Sequence, residues 1–177
     1  DPADDLPVTN ISVEQAQAYA RWLSAQTGYT YRLPTLREWQ HAAGTQLDPN
    51  RNCVVNTGTI VRGGSAVATG VGSNNEFGLL NMAGNAREWC DDWYSPEAYK
   101  SALARSDAGV VRDWTGPKLP VVSGERVARG AKDSWKAWKR AGENMRTPGP
   151  DIGFRCVLNL TPAGQQPDKN ARPANAF

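Results

Sequence analysis

Phe77-Gly78-Leu79-Leu80-Asn81-Met82-Ala83-Gly84-Asn85-Ala86-Arg87-Glu88-Trp89, continued by Cys90-Asp91-Asp92-Trp93-Tyr94, is the densest stretch of this 177-residue chain. It gathers aromatics, turn formers and oxygen-bearing side chains. Large aromatics build cores, Gly and Asn tolerate the tightest backbone bends, and a carboxylate or amide oxygen is a hard ligand. The stretch therefore reads as an ordered turn region that concentrates aromatics and oxygen ligands.

Upstream, residues 12–26 carry Val13, Ala16, Ala20 and Leu23 on one stripe, widened by Tyr19 and Trp22, which predicts an amphipathic helix. Ser12 followed three residues later by Gln15 is a capping-box pattern, and Gly28 suits the C-terminal stop. The same logic opens a second, short helix at Thr35, where Thr-Leu-Arg-Glu leads through Trp39 and Ala42 to Gly44. Pro34 holds Leu33 extended, so residues 29–33 enter that helix as a turn or short strand. Residues 46–75 alternate Gly, Asn, Ser and Thr with short apolar pieces, including 53–55 and 59–61, and read as loops with brief strands.

Downstream, residues 99–120 form a polar insertion with little periodicity, residues 126–130 a strand entering a long loop, and residues 152–158 a last strand. After Asn159 the composition shifts to Pro, Gln, Asn, Ala and Gly, which buries too little apolar area to offset ordering, so 159–177 is expected to be a flexible tail.

The length suits one domain. Seventeen Gly and twelve Pro beside seven Trp, five Tyr and three Phe point to a loop-rich protein with an aromatic core. Twenty Lys+Arg against eighteen Asp+Glu, with no basic block, give no footprint for nucleic acid. No apolar run approaches the ~20 residues that span a bilayer, so membrane insertion by this segment is not expected. The three cysteines are an odd number without metal-type spacing; at most one internal disulfide can form, and the compartment stays open.

Four separated blocks occur in an order that resembles the sulfatase-modifying-factor family, whose founder is formylglycine-generating enzyme. They are Pro7-Val8-Thr9-Asn10-Ile11-Ser12 running into the helix Ala18-Tyr19-Ala20-Arg21-Trp22-Leu23; Arg32-Leu33-Pro34-Thr35 with Glu38-Trp39; the Gly78 to Trp89 block; and Arg126-Val127-Ala128-Arg129-Gly130 with Gly153-Phe154-Arg155. The resemblance covers residues 6–158. It implies an α+β, C-type-lectin-like fold: two helices on a small twisted antiparallel sheet, loop-rich, with Trp22, Trp39, Trp89 and Phe154 in its core. Family members usually begin with a strand of the type I-P-G-G-x-F-x-M-G, and nothing before Leu6 resembles it. A fragment of a longer protein is the expectation, with the missing N-terminal part or a second copy as a possible partner for the open sheet edge.

The resemblance also locates chemistry. Members that make formylglycine hold copper with two cysteines in the loop after the strand that ends Arg129-Gly130, because Cu(I) takes soft thiolates. Here that run is Ala131-Lys132-Asp133-Ser134-Trp135-Lys136-Ala137-Trp138-Lys139-Arg140 and holds no cysteine, so no catalytic residue is assigned and no copper is expected. Iron, used by the family's sulfoxide synthases, is not expected either, since the one histidine, His41, reads as a surface or packing residue. Cys156 reads as a buried, inert thiol. A calcium ion is implied at Asn81, Gly84, Ala86 and Glu88; the family's second calcium site, near Asn52, lacks an acidic partner before Asn75.

Lys132, Asp133, Trp135, Trp138, Arg140, Asn144 and Arg146 are the candidate ligand-binding residues, since Trp and Arg dominate interaction hot spots and suit anionic or carbohydrate-like ligands. The resulting expectation is a non-catalytic sensor domain for a small-molecule or protein ligand, part of a larger bacterial signalling protein such as a Ser/Thr kinase, on the extracytoplasmic side. Two alternatives stay open: an oxidoreductase of the same family with an altered site, and a diversified C-type-lectin receptor protein.

Overall fold

The computed structural model describes residues 6–44, 75–82, 84–107, 109, 114, 116–130 and 140–162. Helix α1 spans Val13–Thr27, β1 Tyr29–Arg32 and α2 Leu36–Ala43; then follow β2 Arg87–Trp93, α3 Ala98–Leu103, β3 Glu125–Arg129, β4 Ala141–Asn144, β5 Ile152–Gly153 and β6 Val157–Pro162.

Both predicted helix starts are built as the sequence indicates. Ser12 Oγ accepts from Gln15 N–H at 3.1 Å while Gln15 Oε1 accepts from Ser12 N–H at 2.8 Å. Thr35 and Glu38 repeat the exchange at α2. Gly28 ends α1 at φ 75°, a left-handed conformation that costs glycine nothing.

Strands β4-β3-β2-β5 form a four-stranded sheet, antiparallel except for the β2–β5 pair, and β1 pairs antiparallel with β6 in a separate two-stranded sheet. Side chains alternate across the larger sheet. Trp89 and Ala128 face one side, where Val13, Ala16, Leu33 and Ile152 complete a core under α1. Cys90 and Val127 face the other, where Leu36, Trp39, Ala43 and Met82 form a second core under α2. The two helices thus cover opposite faces, which is why the middle of β2 is buried on both sides.

Five expectations are corrected. Residues 152–158 are two strands in two sheets, because Gly153 lies against the Val8 backbone and Arg155 turns back to Glu88. The insertion at 99–120 begins with α3, a six-residue helix whose N-cap, Glu97, makes no side-chain capping bond. Residues 141–144, read as loop, are strand β4, paired along β3 from Ala128↔Ala141 to Glu125↔Asn144. Trp22 is 54% exposed, on a surface cluster with Tyr19, 5.5 Å away; Tyr19 also meets half-buried Phe154 at 5.4 Å. Trp39 and Trp89 are core. Strand β6 continues to Pro162, past the expected end of the domain at 158. The strands expected at 53–55 and 59–61, the Asn52 region, most of the 159–177 tail, and Lys132, Asp133, Trp135 and Trp138 lie outside the described residues.

Candidate functional site

The 131–139 run joins antiparallel β3 and β4, so Arg129 and Arg140 stand at the two sides of its mouth. Each guanidinium lies on an aromatic ring. Arg129, with no exposed surface, sits 4.5 Å over Trp39. Arg140 lies 4.0 Å over Tyr99 and donates through Nη2 to the Ser95 carbonyl at 2.7 Å and the Pro96 carbonyl at 3.2 Å. Burial lowers the Arg129 pKa, opposed by Tyr99 and Cys90, but arginine stays protonated in proteins. A buried charge at the base of a loop favours anionic or strongly polar groups above it.

The other two described candidates lie at the far end of β4. Asn144 Oδ1 accepts from the Arg146 and Thr147 N–H groups at 2.9 and 3.3 Å, a turn-forming arrangement that explains Asn at this position. With a strand rise of about 3.4 Å per residue, Asn144 and Arg146 are separated from Arg140 by ~14 Å or more. The structure brings Arg129 to the loop mouth, a residue that sequence reasoning treated only as part of a strand motif.

The implied calcium block is curled by left-handed backbone at Asn81 (φ 58°) and Asn85 (φ 63°), and by Gly84 (φ 102°), whose N–H donates to the Gly130 carbonyl at 2.8 Å. A Cβ at Gly130 would lie 3.4 Å from the Ala86 carbonyl and 3.6 Å from that of Met82. Glu88 is buried, and its carboxylate is already engaged. Trp39 Nε1 donates to Oε2 at 2.7 Å, and Arg155 Nε and Nη2 donate to Oε2 and Oε1, each at 2.6 Å. A carboxylate offers about four lone-pair sites. The three donors leave one lone-pair position at Oε1, so the engaged carboxylate is compatible with one further hard ligand. Among the described residues no group of three or more His, Cys, Asp and Glu side chains is placed to hold a metal.

Cys90 is fully buried and Cys156 half-buried, both as free thiols. Burial raises both thiol pKa values, Cys90 the more strongly, so neither resembles an activated nucleophile. His41 is exposed, its ring 5.2 Å from that of Phe77. No helix among the described residues is long and apolar enough to cross a membrane.

This is the α+β architecture of formylglycine-generating-enzyme-like domains. Residues 1–160 match the sulfatase-modifying factor enzyme 1-like domain family, and the chain belongs to that family. It is 31% identical to the formylglycine-generating enzyme of Streptomyces coelicolor, over 85% of this chain and 52% of that enzyme. It is 30% identical to the serine/threonine-protein kinase Pkn1 of Chlamydia trachomatis, over 87% of this chain and 24% of the kinase. The chain thus spans about half the length of the formylglycine-generating enzymes it matches and a quarter of the kinases. Among solved structures, Treponema denticola variable protein 1 superposes with a TM-score of 0.66 at 21% identity, covering 86% of this chain and 70% of that one. PvdO from Pseudomonas aeruginosa gives 0.63 at 20% identity, covering 88% and 63%. At these identities the two structures speak for the fold.

Proposed function

We propose that this chain is a non-catalytic recognition domain that binds an anionic or carbohydrate-like ligand, free or on a protein, at the β3–β4 loop. One observation carries the reading: the chain on either side of a cysteine-free run rich in Lys and Trp ends in two guanidiniums held on aromatic rings. Arginines backed by aromatics are fixed before a ligand arrives, so little side-chain entropy is lost on binding. The relatives named as kinases support a place in a larger bacterial signalling protein; an extracytoplasmic position is part of the proposal only. In this reading calcium is held by Asn81, the Gly84 and Ala86 carbonyls and Glu88, and serves to fix the loop beside Gly130.

A second reading, an oxidoreductase with an altered site, is favoured by the relatives named as formylglycine-generating enzymes. Two assays separate them. A glycan and anionic-ligand binding screen should yield a ligand whose affinity falls in Trp135→Ala, Trp138→Ala and Arg140→Ala variants. Mass spectrometry of a cysteine-containing peptide incubated with the protein and copper should show no formylglycine; its formation would establish the second reading.

A further inference from the structure

Asp92 is 5% exposed, and its Oδ2 accepts from the Leu36 N–H at 2.6 Å, in the first turn of α2. A Cβ at Gly116 would lie 2.6 Å from its other oxygen, Oδ1, so the chain closes over that side. Asp92 makes no ion pair among the described residues. An ionised carboxylate in such surroundings is costly unless a cation completes it, and one backbone N–H, a helix terminus and the nearby charge of Arg126 are partial compensation. A cavity of about 360 Å³ has Asp92 among its lining residues. Its other walls are Leu36, Tyr99, Ala102, Leu103 and Trp114, with Arg37 and Gln40 also lining it. Two walls are braced: Gln40 Nε2 donates to the Tyr99 hydroxyl at 2.7 Å, and Arg105 lies 5.6 Å over the Trp114 ring.

We infer that this cavity is a binding site for a small organic ammonium with an aromatic or apolar body, its charge received by Asp92 and its body held between Trp114, Tyr99 and Leu103. The volume lies in the range of small-molecule sites, most of the lining is apolar, and a single buried polar group sets the orientation. A neutral ligand of the same shape would leave the carboxylate uncompensated. An anionic one would face it. The site shares Tyr99 with the β3–β4 loop mouth, where Arg140 lies on the same ring, but its charged group, Asp92, belongs to this cavity alone.

The full chain is titrated with 2-phenylethylamine at pH 7.5, with 2-phenylethanol as the uncharged analogue, following the Trp114 indole and Leu36 backbone N–H resonances. The amine should bind at millimolar concentration or below and shift both signals, and the alcohol should bind at least about tenfold more weakly, the effect of losing one charge-assisted hydrogen bond. Asp92→Asn, which keeps an acceptor for Leu36, should weaken the amine by a similar factor. Leu103→Trp, at an exposed position on the rim, should block both ligands without touching the carboxylate. Equal binding of amine and alcohol, undiminished binding to Leu103→Trp, or no shift at 10 mM amine (roughly the weakest affinity a ligand of this size would show) would overturn the assignment.

Discussion

Arg155 reaches back across the fold to place Nε and Nη2 on the two oxygens of Glu88, each at 2.6 Å, and a third donor, Trp39 Nε1, shares the same carboxylate. The pair joins the segment between β5 and β6 to β2, and through Trp39 to α2. Truncating one member of a buried, hydrogen-bonded pair leaves the other charge stranded, so Arg155→Ala should cost about 3 kcal/mol in a urea melt. That loss should be present with calcium removed by chelator. Calcium itself should raise the melting temperature of the wild type and leave Glu88→Ala unmoved. Equal, weak responses in both proteins would take calcium out of the account.

Asp92 should make stability fall as pH rises. Its burial, with the charges of Asp91 and Glu38, outweighs the Leu36 N–H and Arg126 and pushes its pKa from 3.8 to about 6. The folded state then holds this proton longer than the unfolded chain does. Its full contribution is present below pH 3.8 and is lost as pH climbs through 6, a swing of about 3 kcal/mol from a shift of this size. Glu38 runs the other way: Arg32 and the Thr35 N–H and hydroxyl hold it at about 2, so the stability it adds above pH 4.5 disappears in stronger acid. The difference between wild type and Asp92→Asn isolates the first effect. Urea midpoints of the two proteins should diverge between pH 4 and 7, with the wild type losing ground, and parallel profiles would refute it.

What could be read in the sequence was local. The caps at Ser12 and Thr35 need only a partner three residues away, and the helix they start is confined by Gly28. Strand β4, Ala-Gly-Glu-Asn, has no intrinsic preference for extended structure and exists because β3 offers it a ladder. The break between β5 and β6 is set by the bond from Arg155 to Glu88, 67 positions apart in the chain. Of the candidate site, the Asn81–Glu88 curl was legible because its Gly and Asn residues carry the bend themselves. Arg129 was not, since only the turn of β3 over Trp39 gives its guanidinium a ring to rest on. The cavity at Asp92 draws its walls from α2, β2, α3 and Trp114, and no spacing announces such a meeting.

Cys90 should be inert in the native protein. Burial first, then the negative charges of Asp92 and Glu88, raise its thiol far above the usual value, with Arg129 opposing. Thiolate is the reactive form, so alkylation of Cys90 requires unfolding. Peptide mapping after iodoacetamide treatment should find Cys156 modified well before Cys90, and Cys90 only in proportion to the unfolded population. Labelling of Cys90 at the rate of Cys156 in buffer would show that the core beneath β2 opens locally.

Trp22 and Trp89 test whether aromatic residues in this chain can be assumed to be core. Trp89 is fully buried between α1 and the sheet, and its Nε1 donates to the Ile11 carbonyl at 2.9 Å, so Trp89→Ala removes a large side chain and leaves a part-buried acceptor without its partner. A loss of about 4 kcal/mol or failure to fold is expected, and Trp89→Phe should cost less because only the indole hydrogen bond and part of the volume go. Trp22 covers Tyr19 on an exposed helix face, so Trp22→Ser should cost less than about 1 kcal/mol in this chain. If Trp22→Ser proves as damaging as Trp89→Ala, the cluster of Tyr19, Trp22 and Phe154 is buried in solution against a partner.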